Sequence, residues 1–219
     1  MSVVAIDGPA GAGKSTVARA VAKELGWDYL DTGAMYRAVT LAVLERGINP
    51  SEEKLVAHVA RQVDFDARGE RILLDGVDVS DRIRAEDVTE AVSMVSAQPP
   101  VRRALAEKQR RLAETSDVVI EGRDIGTVVA PDAVIKVFLT ASISERARRR
   151  ALQVGLDPSG DVLGRMGESL TSRDERDTNR EVSPLTKAPD ALDIDTSDRT
   201  VDEITQQIVG AVRERISDG

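Results

Sequence analysis

A glycine-rich segment near the start of the chain constrains the fold more than any other feature. Residues 8–15 read G-x-x-x-x-G-K-S and directly follow the apolar run at residues 3–6. Between a strand and a helix, such a segment is typical of a phosphate-binding loop, because its glycines let backbone N–H groups converge on phosphates. The start of the next helix adds a partial positive charge. The alternative, a turn that only caps a helix, does not explain Lys14 and Ser15 at this spacing.

The loop therefore predicts a nucleotide site. Lys14 is expected to reach the β- and γ-phosphates, and the Ser15 hydroxyl is the expected Mg²⁺ ligand. Asp7, at the end of the preceding strand, has two interpretations: it orients Mg²⁺ through water, or it only holds the loop. The predicted nucleotide-binding residues of this segment are Gly8, Ala10, Gly11, Ala12, Gly13, Lys14, Ser15 and Thr16.

Composition narrows the class of protein. A chain of 219 residues with 41% hydrophobic residues can bury one α/β core plus an insertion. A formal net charge of −8 argues against a general nucleic-acid binder, and the lack of cysteine excludes disulfides and thiolate metal sites. We find no leader-like segment and no apolar run of 18 residues. We expect a cytoplasmic monomer with small-molecule partners, no nucleic acid and no membrane contact.

Hydrophobic periodicity predicts an α/β order at the start of the chain. A helix after the loop ends at Gly26, a short strand covers residues 29–31, and Thr32 with Gly33 opens a second helix. Ser51 is expected to cap a third helix.

From residue 63 the hydrophobic pattern of the sequence changes from the helical period to a period of two residues. Residues 63–67 and 77–79 alternate between apolar and polar side chains, and residues 72–74 between them are apolar. Turns at Gly69-Glu70 and Asp75-Gly76 separate the three runs, which predicts a small antiparallel meander. Two helices are expected next, at residues 86–97 and 101–114.

Short apolar runs at residues 118–120 and 135–139 predict two buried parallel strands. Because ligands lie beyond the carboxyl ends of such strands, residues 7–8, 31–32, 121–124 and Thr140 are expected to share one crevice.

In the last third of the chain the hydrophobic pattern that predicts helices and strands is less regular. Ser144 is the expected cap of an arginine-rich helix, and the glycine-rich residues 155–167 are weakly patterned, which suits a mobile segment. A last strand at residues 191–194 and a helix at 201–216 complete the prediction.

The remaining motifs select among nucleotide-binding proteins. A GTPase reads its base with the sequence Asn/Thr-Lys-x-Asp. Residues 186–190 read TKAPD, which contains one extra residue and a proline, so a GTPase is disfavoured. A motor or helicase is expected to be larger and to carry a hydrophobic strand that ends in Asp-Glu, and neither feature appears in this sequence.

Three further segments suggest a family. They are LDTGAMYR at residues 30–37, EGRDIGTVV at 121–129, and RDERDTNR at 173–180 followed by SPL at 183–185. Together with the loop, and in this order, they closely resemble the bacterial cytidylate kinases, the long form of the nucleoside monophosphate kinases. The resemblance spans essentially the whole chain, including the insertion at residues 63–97.

The resemblance implies a P-loop NTPase core, in which helices flank a parallel five-stranded sheet, with an NMP-binding insertion that carries a small antiparallel sheet and with a mobile lid. Expected bounds are about 1–62, 98–150 and 188–219 for the core, 63–97 for the insertion and 151–187 for the lid. The implied reaction converts ATP and CMP or dCMP to ADP and CDP or dCDP with Mg²⁺.

The resemblance also assigns the acceptor phosphate. It implies that Arg37 and Arg123 grip this phosphate, with Arg180 as a third arginine, and that these three act in catalysis with Lys14. Guanidinium groups suit this task because they bind phosphate oxygens in pairs. A surface position on a helix is the competing interpretation of Arg37.

The rest of the acceptor is assigned in the same way. Asp124, Ser93 and Arg102 match the residues that read cytosine, although Ser93 and Arg102 also look like ordinary helix residues. Arg173 and Asp177 match the ribose contacts, but their i, i+4 spacing equally fits a surface ion pair. Thr32 completes the predicted substrate-binding set.

An arginine run at residues 146–150 is the last candidate. Arg146 and Arg150 resemble the lid arginines of related kinases, which stack on adenine and contact the ATP phosphates. Arg148 and Arg149 are expected to be surface residues.

Two other functions stay open at this point. The chain could phosphorylate another small acceptor, such as UMP, shikimate or a nucleoside, or it could be a nucleotide-dependent binding switch that transfers no phosphate to a metabolite.

Overall fold

The computed structural model describes residues 1–66 and 71–217. Its strands are β1 (Val3–Asp7), β2 (Asp28–Asp31), β3 (Phe65–Asp66), β4 (Leu73–Leu74), β5 (Val77–Asp78), β6 (Val118–Glu121), β7 (Ile135–Thr140) and β8 (Leu192–Asp195). Its α-helices are α1 (Lys14–Leu25), α2 (Thr32–Glu45), α3 (Glu53–Gln62), α4 (Glu86–Ala97), α5 (Pro99–Ala113), α6 (Ile143–Gln153), α7 (Gly160–Thr178) and α8 (Val201–Ser217). A 3₁₀ turn (Arg82–Arg84) and a π-helical turn (Ile125–Val129) complete the elements.

Five parallel strands form the central sheet in the order β2-β6-β1-β7-β8. Along β1, Val4 and Ile6 pack on the face covered by α1 and α8, whereas Ala5 packs on the face covered by α2, α3 and α5. Alternation of this kind follows from the period of two in a strand, and it gives the sheet an apolar layer on both sides. The predicted parallel five-stranded sheet with flanking helices is confirmed.

The small antiparallel sheet is also confirmed, in the order β3-β4-β5. Asp75 and Gly76 join β4 to β5, with φ angles of 49° and 83°. An Asp-Gly pair favours a tight hairpin of this kind because both positions accept positive φ. The turn predicted at Gly69 and Glu70, and Ala67 before it, lie outside the described residues.

Two predicted helix caps are wrong. The Ser51 hydroxyl donates to Asn49 Oδ1 at 2.9 Å, and α3 begins two residues later with no side-chain cap from Glu52. In α6 the cap is Ser142, whose Oγ accepts from the Glu145 N–H at 3.3 Å. The Ser144 hydroxyl only faces that of Ser142, since the helix starts earlier than the pattern suggests.

The glycine-rich segment at residues 155–167 contains the first two turns of α7, which begins at Gly160. Leu163, Met166 and Leu170 pack together with Ala10 and Ala147 in a small apolar cluster. Spacings of three and four residues place the first three side chains on one helical face. Helix α7 is thereby seated on α6 and on the phosphate loop.

In the stretches 1–66 and 71–217, no helix combines the length and apolarity that crossing a membrane requires.

Candidate active site

One cavity of about 680 Å³ opens at the carboxyl ends of the central strands. Among the described residues that line it, eight arginines and Lys14 face four carboxylates. This excess of positive charge contrasts with the net charge of −8 for the whole chain. Such an arrangement favours a strongly anionic ligand.

The cavity collects most of the predicted site residues. Its lining includes Ala10, Gly11, Gly13, Lys14, Ser15, Thr16, Thr32, Arg37, Arg102, Arg123, Asp124, Arg150, Arg173, Asp177 and Arg180. Gly8, Ala12, Ser93 and Arg146 are predicted site residues outside this lining. The crevice expected from the strand ends forms at residues 31–32 and 121–124, but Asp7 and Thr140 do not line it.

The phosphate loop lies between β1 and α1, as predicted. Gly8 has a φ of 146°, and a Cβ at this position would lie only 2.1 Å from the Leu139 carbonyl oxygen. Gly13 has a φ of 88° and directly precedes α1. The motif thus needs glycine at Gly8 to let the chain pass β7, and at Gly13 to turn into the helix.

Lys14 is buried at the first position of α1, and its Nζ donates to the Pro9 carbonyl oxygen at 2.8 Å. Burial lowers the pKa of the Lys14 ammonium, and the Arg123 guanidinium lowers it further, whereas Glu121 acts in the opposite direction. An anion bound at the loop would raise this pKa again, since opposite charge favours the protonated form.

Glu121, at the end of β6, is a buried carboxylate that the sequence analysis left without a role. It accepts a hydrogen bond from the Tyr29 hydroxyl, and the nearby Ser15 side chain lowers its pKa. Burial raises the pKa of Glu121, and the nearby Asp31 carboxylate adds to this effect. The strand-end position of Glu121 was visible in the sequence, but its contact with Ser15 depends on the register between β6 and β1.

Asp7 makes both of its side-chain hydrogen bonds to the residues that follow β6. Its Oδ1 accepts from the Ile125 N–H and its Oδ2 from the Gly126 N–H, both at 2.8 Å. Burial raises the pKa of Asp7 to about 6, although the two N–H groups lower it. Asp7 therefore holds the π-helical turn that follows β6.

The arginines that are predicted to grip the acceptor phosphate come from three parts of the chain: α2, the residues after β6 and, for Arg180, the residues after α7. Arg37 on α2 donates to the Ile83 carbonyl oxygen at 3.2 Å and to Thr89 Oγ1 at 2.9 Å, so it is bound to the insertion rather than exposed on its helix. Arg123, after β6, donates to the Gly8 carbonyl oxygen at 3.0 Å and to Asp177 Oδ2 at 2.8 Å.

Asp177 on α7 links two of these arginines. It is 3% exposed and pairs with both Arg123 and Arg180. The interpretation of Arg173 and Asp177 as a surface ion pair is therefore wrong. Burial lowers the pKa of Arg173 to about 10, and the Arg123 guanidinium contributes to the shift. Cations crowded in this way are stabilised by an anionic ligand.

Arg102 and Asp124 form a buried ion pair on the same side of the cavity. Arg102 Nη2 donates to Asp124 Oδ1 at 2.8 Å, and the guanidinium lies over the Tyr36 ring, 5.2 Å from its centroid. Arg102 is thus not an ordinary helix residue. Ser93, by contrast, lines a smaller adjoining cavity of about 320 Å³, together with Arg173 and Arg180.

The arginines of α6 divide differently from the prediction. Arg146 Nη1 donates to the Ala10 carbonyl oxygen at 3.1 Å and pairs with Asp174, which also accepts from the Ala10 N–H. Arg150 lines the cavity. Arg148 is exposed, as expected, but the surface position expected for Arg149 is wrong, because Arg149 lines the cavity as well.

Oxygen groups near the loop suit a hard cation. In the part of the chain that the structure describes, no group of three or more Asp, Glu, His or Cys side chains could hold a metal ion by itself. Mg²⁺ commonly uses one or two protein oxygens together with substrate phosphates, and Ser15 with Glu121 provides that chemistry.

Comparisons with known proteins agree over nearly the whole chain. The model of the family described as cytidylate kinase matches residues 4–214. A cytidylate kinase of Caldanaerobacter subterraneus subsp. tengcongensis is 49% identical over 211 residues, which cover 96% of this chain and 94% of that protein. A cytidylate kinase of Mycobacterium leprae is 50% identical over 214 residues, with 97% and 96% covered.

A solved structure supports the fold alone. The crystal structure of an uncharacterized protein from Eubacterium ventriosum matches with a TM-score of 0.55 at 14% identity, and covers 97% of this chain and 99% of that chain. The family model and the close relatives go further, and they confirm the resemblance seen in the four motifs. This chain belongs to the cytidylate kinase family.

Proposed function

We propose that this chain transfers the γ-phosphoryl group of ATP to CMP or dCMP, which gives ADP and CDP or dCDP. Its family supports this reaction. The observation that carries the proposal is the cavity in which a phosphate loop meets a cluster of buried arginines. Two polyanionic substrates must be held close together there, and the excess of positive charge suits that task.

The chemistry needs no general base. An α-phosphate oxygen of CMP, already ionised at neutral pH, forms a bond to the γ-phosphorus of ATP. The bond between that phosphorus and the β,γ-bridging oxygen breaks, and the electron pair leaves on ADP. The task of the protein is to align the two substrates and to neutralise charge.

At the ATP side, we assign the loop N–H groups and Lys14 to the phosphates. Lys14 lies at the N-terminus of α1, so its charge and the helix dipole act on the same anion. Arg150 is assigned to the ATP phosphates as well, and its place in the cavity lining supports this role. Arg146 is assigned a supporting role, because it already holds the loop at Ala10.

At the CMP side, we assign Arg37, Arg123 and Arg180 to the acceptor phosphate. Their separate origins let them approach one phosphate from several directions, and Asp177 keeps Arg123 and Arg180 together. Thr32 and Arg173 border the same space.

We assign recognition of the base to the Arg102–Asp124 pair, with Ser93 contributing from the adjoining cavity. A carboxylate accepts from the N4 amino group of cytosine, whereas O4 of uracil offers it no hydrogen. Arg102 can donate to N3 and O2. The burial of both side chains supports the assignment, because an unmatched polar group costs most where water is excluded.

Mg²⁺ is assigned to Ser15 and Glu121. When bound, the ion would neutralise charge on the phosphates of ATP. Tyr29 holds the Glu121 carboxylate in place through its hydroxyl.

The division into a core, an insertion at about 63–97 and a lid at about 151–187 is part of the proposal. The contacts of Arg37 with the insertion and of Asp174 with the loop support it, because both contacts join a proposed moving part to the substrate site. Monomeric state and cytoplasmic location stay predictions from the sequence.

A coupled assay of ADP release tests the function. It compares CMP, dCMP, UMP, AMP and GMP as acceptors with ATP as donor. We expect clear turnover with CMP and dCMP, weaker turnover with UMP, and none with AMP or GMP. Turnover of another acceptor alone would replace the substrate, and ATP binding without turnover of any monophosphate would favour the binding switch.

A further inference from the structure

Several carbonyl groups of the phosphate loop accept hydrogen bonds from side chains. Lys14 donates to the Pro9 oxygen, Arg146 to the Ala10 oxygen, and Thr196 to the Ala12 oxygen. A loop whose N–H groups converge on phosphates must satisfy its carbonyl groups elsewhere. The Thr196 contact has no place in the roles assigned above.

Thr196 follows β8 directly and is 2% exposed. Its Oγ1 lies 3.1 Å from the Ala12 carbonyl oxygen and 2.8 Å from Arg149 Nη1. Arg149 Nη2 also donates to the Thr196 carbonyl oxygen at 2.7 Å, and Glu145 Oε1 accepts from Arg149 Nε at 2.8 Å. We call this chain of contacts, from Glu145 through Arg149 and Thr196 to Ala12, the loop bridge.

The chemistry of the groups in the loop bridge determines which of them donates each hydrogen bond. A guanidinium has only donors, and a hydroxyl has one hydrogen to give. Because Arg149 occupies Oγ1 as a donor, the hydroxyl hydrogen of Thr196 is left for the Ala12 carbonyl. The loop bridge therefore connects the phosphate loop to the end of β8 and to α6, and every hydrogen bond in it has a defined donor and acceptor.

We propose that Thr196 and Arg149 are positioning residues that preorganise the phosphate loop. By holding the Ala12 carbonyl, they keep the N–H groups of the next residues, Gly13 and Lys14, directed at the phosphates. The proposal rests on the proposed function in one respect, namely that this loop binds the phosphates of ATP. It predicts an effect on any ligand that offers those phosphates, with or without a nucleoside.

A direct contact between Arg149 and the nucleotide is the competing explanation. Arg149 lines the cavity, and a Cβ on Gly13 would lie 3.4 Å from Arg149 Nη1. A direct contact with the base or ribose would matter for ATP but not for inorganic tripolyphosphate. A direct contact with the phosphates would persist in a Thr196 variant, because such a variant keeps Arg149. The explanations therefore separate by ligand and by variant.

The test substitutes Thr196→Val, which keeps the shape of the side chain but removes the hydroxyl. The Kd values of ATP, inorganic tripolyphosphate and CMP are measured by titration calorimetry with Mg²⁺ present. We expect about tenfold weaker binding of both ATP and tripolyphosphate, and unchanged binding of CMP. Thr196→Ser restores the hydroxyl, and its Kd values should return to within about twofold of the wild type.

Thr205→Val on α8 is the matched control. Thr205 is also buried, at 5% exposed, but its Oγ1 has no hydrogen-bond partner in the described part of the chain. This variant should bind all three ligands as the wild type does. If Thr196→Val does not fold, Thr196→Ala takes its place, because it also removes the hydroxyl while it keeps Arg149.

Unchanged binding of tripolyphosphate to Thr196→Val would overturn the proposal, whether or not ATP binding weakens. An equal loss of CMP binding would overturn it too, since it would indicate a general structural defect. Wild-type protein that binds tripolyphosphate but does not phosphorylate CMP would instead contradict the proposed function and leave the loop bridge standing.

Discussion

The two ends of the cavity are built in different ways. At the proposed ATP end, residues 8–13 turn between β1 and the start of α1 and present mainly backbone groups. At the proposed CMP end, side chains arrive from α2, α5, α7 and the residues after β6. The first end depends on the path of the backbone, and the second on the tertiary fold that brings separate arginines together.

The two ends also handle charge differently. The proposed ATP end combines the buried Lys14 and a helix terminus with Arg150, whereas the proposed CMP end pairs guanidinium groups with buried carboxylates. Asp177 serves Arg123 and Arg180, and Asp124 serves Arg102. Loss of a group at the proposed ATP end should therefore affect ATP binding or phosphoryl transfer, and loss at the proposed CMP end should affect CMP binding and selectivity.

The largest expected effect is that of Lys14→Ala. Removing a preorganised charge beside the transferred phosphoryl group should lower kcat by about a thousandfold, with the fold intact. Steady-state kinetics and circular dichroism measure both properties. Lys187→Ala, which removes a half-exposed lysine paired with Asp193, is the control and should retain full activity. A folded Lys14→Ala enzyme with near-normal kcat would remove the loop lysine from the mechanism.

Arg37→Lys is expected to act at the CMP end alone. The change keeps the charge but loses the planar pair of donors, so kcat/KM for CMP should fall by about a hundredfold while the Kd of ATP stays constant. Arg103→Lys makes the same change at an exposed position on α5 and should have no effect. Equal weakening of both substrates would place Arg37 outside the acceptor site.

Asp124→Asn should change selectivity between CMP and UMP. Because an amide can offer either a donor or an acceptor, the ratio of kcat/KM for CMP to that for UMP should narrow by about tenfold. The variant also leaves Arg102 without its buried counter-ion and should be less stable. The ratio does not depend on the folded fraction, so it isolates the effect on recognition. An unchanged ratio would assign recognition of the base to other residues.

The smallest expected effect concerns Asp7, which lies at the end of β1 and does not line the cavity. Its pKa is raised to about 6 in the folded protein, so the folded state holds the proton more tightly than the unfolded chain does. This contribution to stability is present at low pH and is lost as pH rises towards 6. The free energy of unfolding of the wild type, relative to that of Asp7→Asn, should thus be larger by about 1 kcal/mol at pH 5 than at pH 7. Urea titrations at both pH values measure it, and an opposite slope would contradict the assignment.

The features that could be predicted from the sequence are those that depend on consecutive residues. The phosphate loop was predictable because its function depends on consecutive residues, and Gly8 and Gly13 occupy positions that require glycine. The meander was predictable from its period of two and the Asp75-Gly76 turn.

The remaining features depend on contacts between distant residues. Arg148 and Arg149 are adjacent arginines on one helix, and the contact that separates them, between Arg149 and Thr196, joins residues 47 positions apart in the sequence. Asp7 looks like a residue of the phosphate loop, but its partners are 118 and 119 residues away in the sequence. The CMP-end residues were found through a family resemblance rather than through local pattern, for the same reason.

Separate titrations of ATP and CMP into Arg37→Lys and Thr196→Val test the central claim most directly. The claim is that one end of the cavity is a preorganised backbone loop and the other an assembled set of arginines. We predict that Arg37→Lys weakens CMP binding and leaves ATP binding unchanged, and that Thr196→Val does the reverse. If both variants weaken both ligands by the same factor, the two ends are not built independently and the account is wrong.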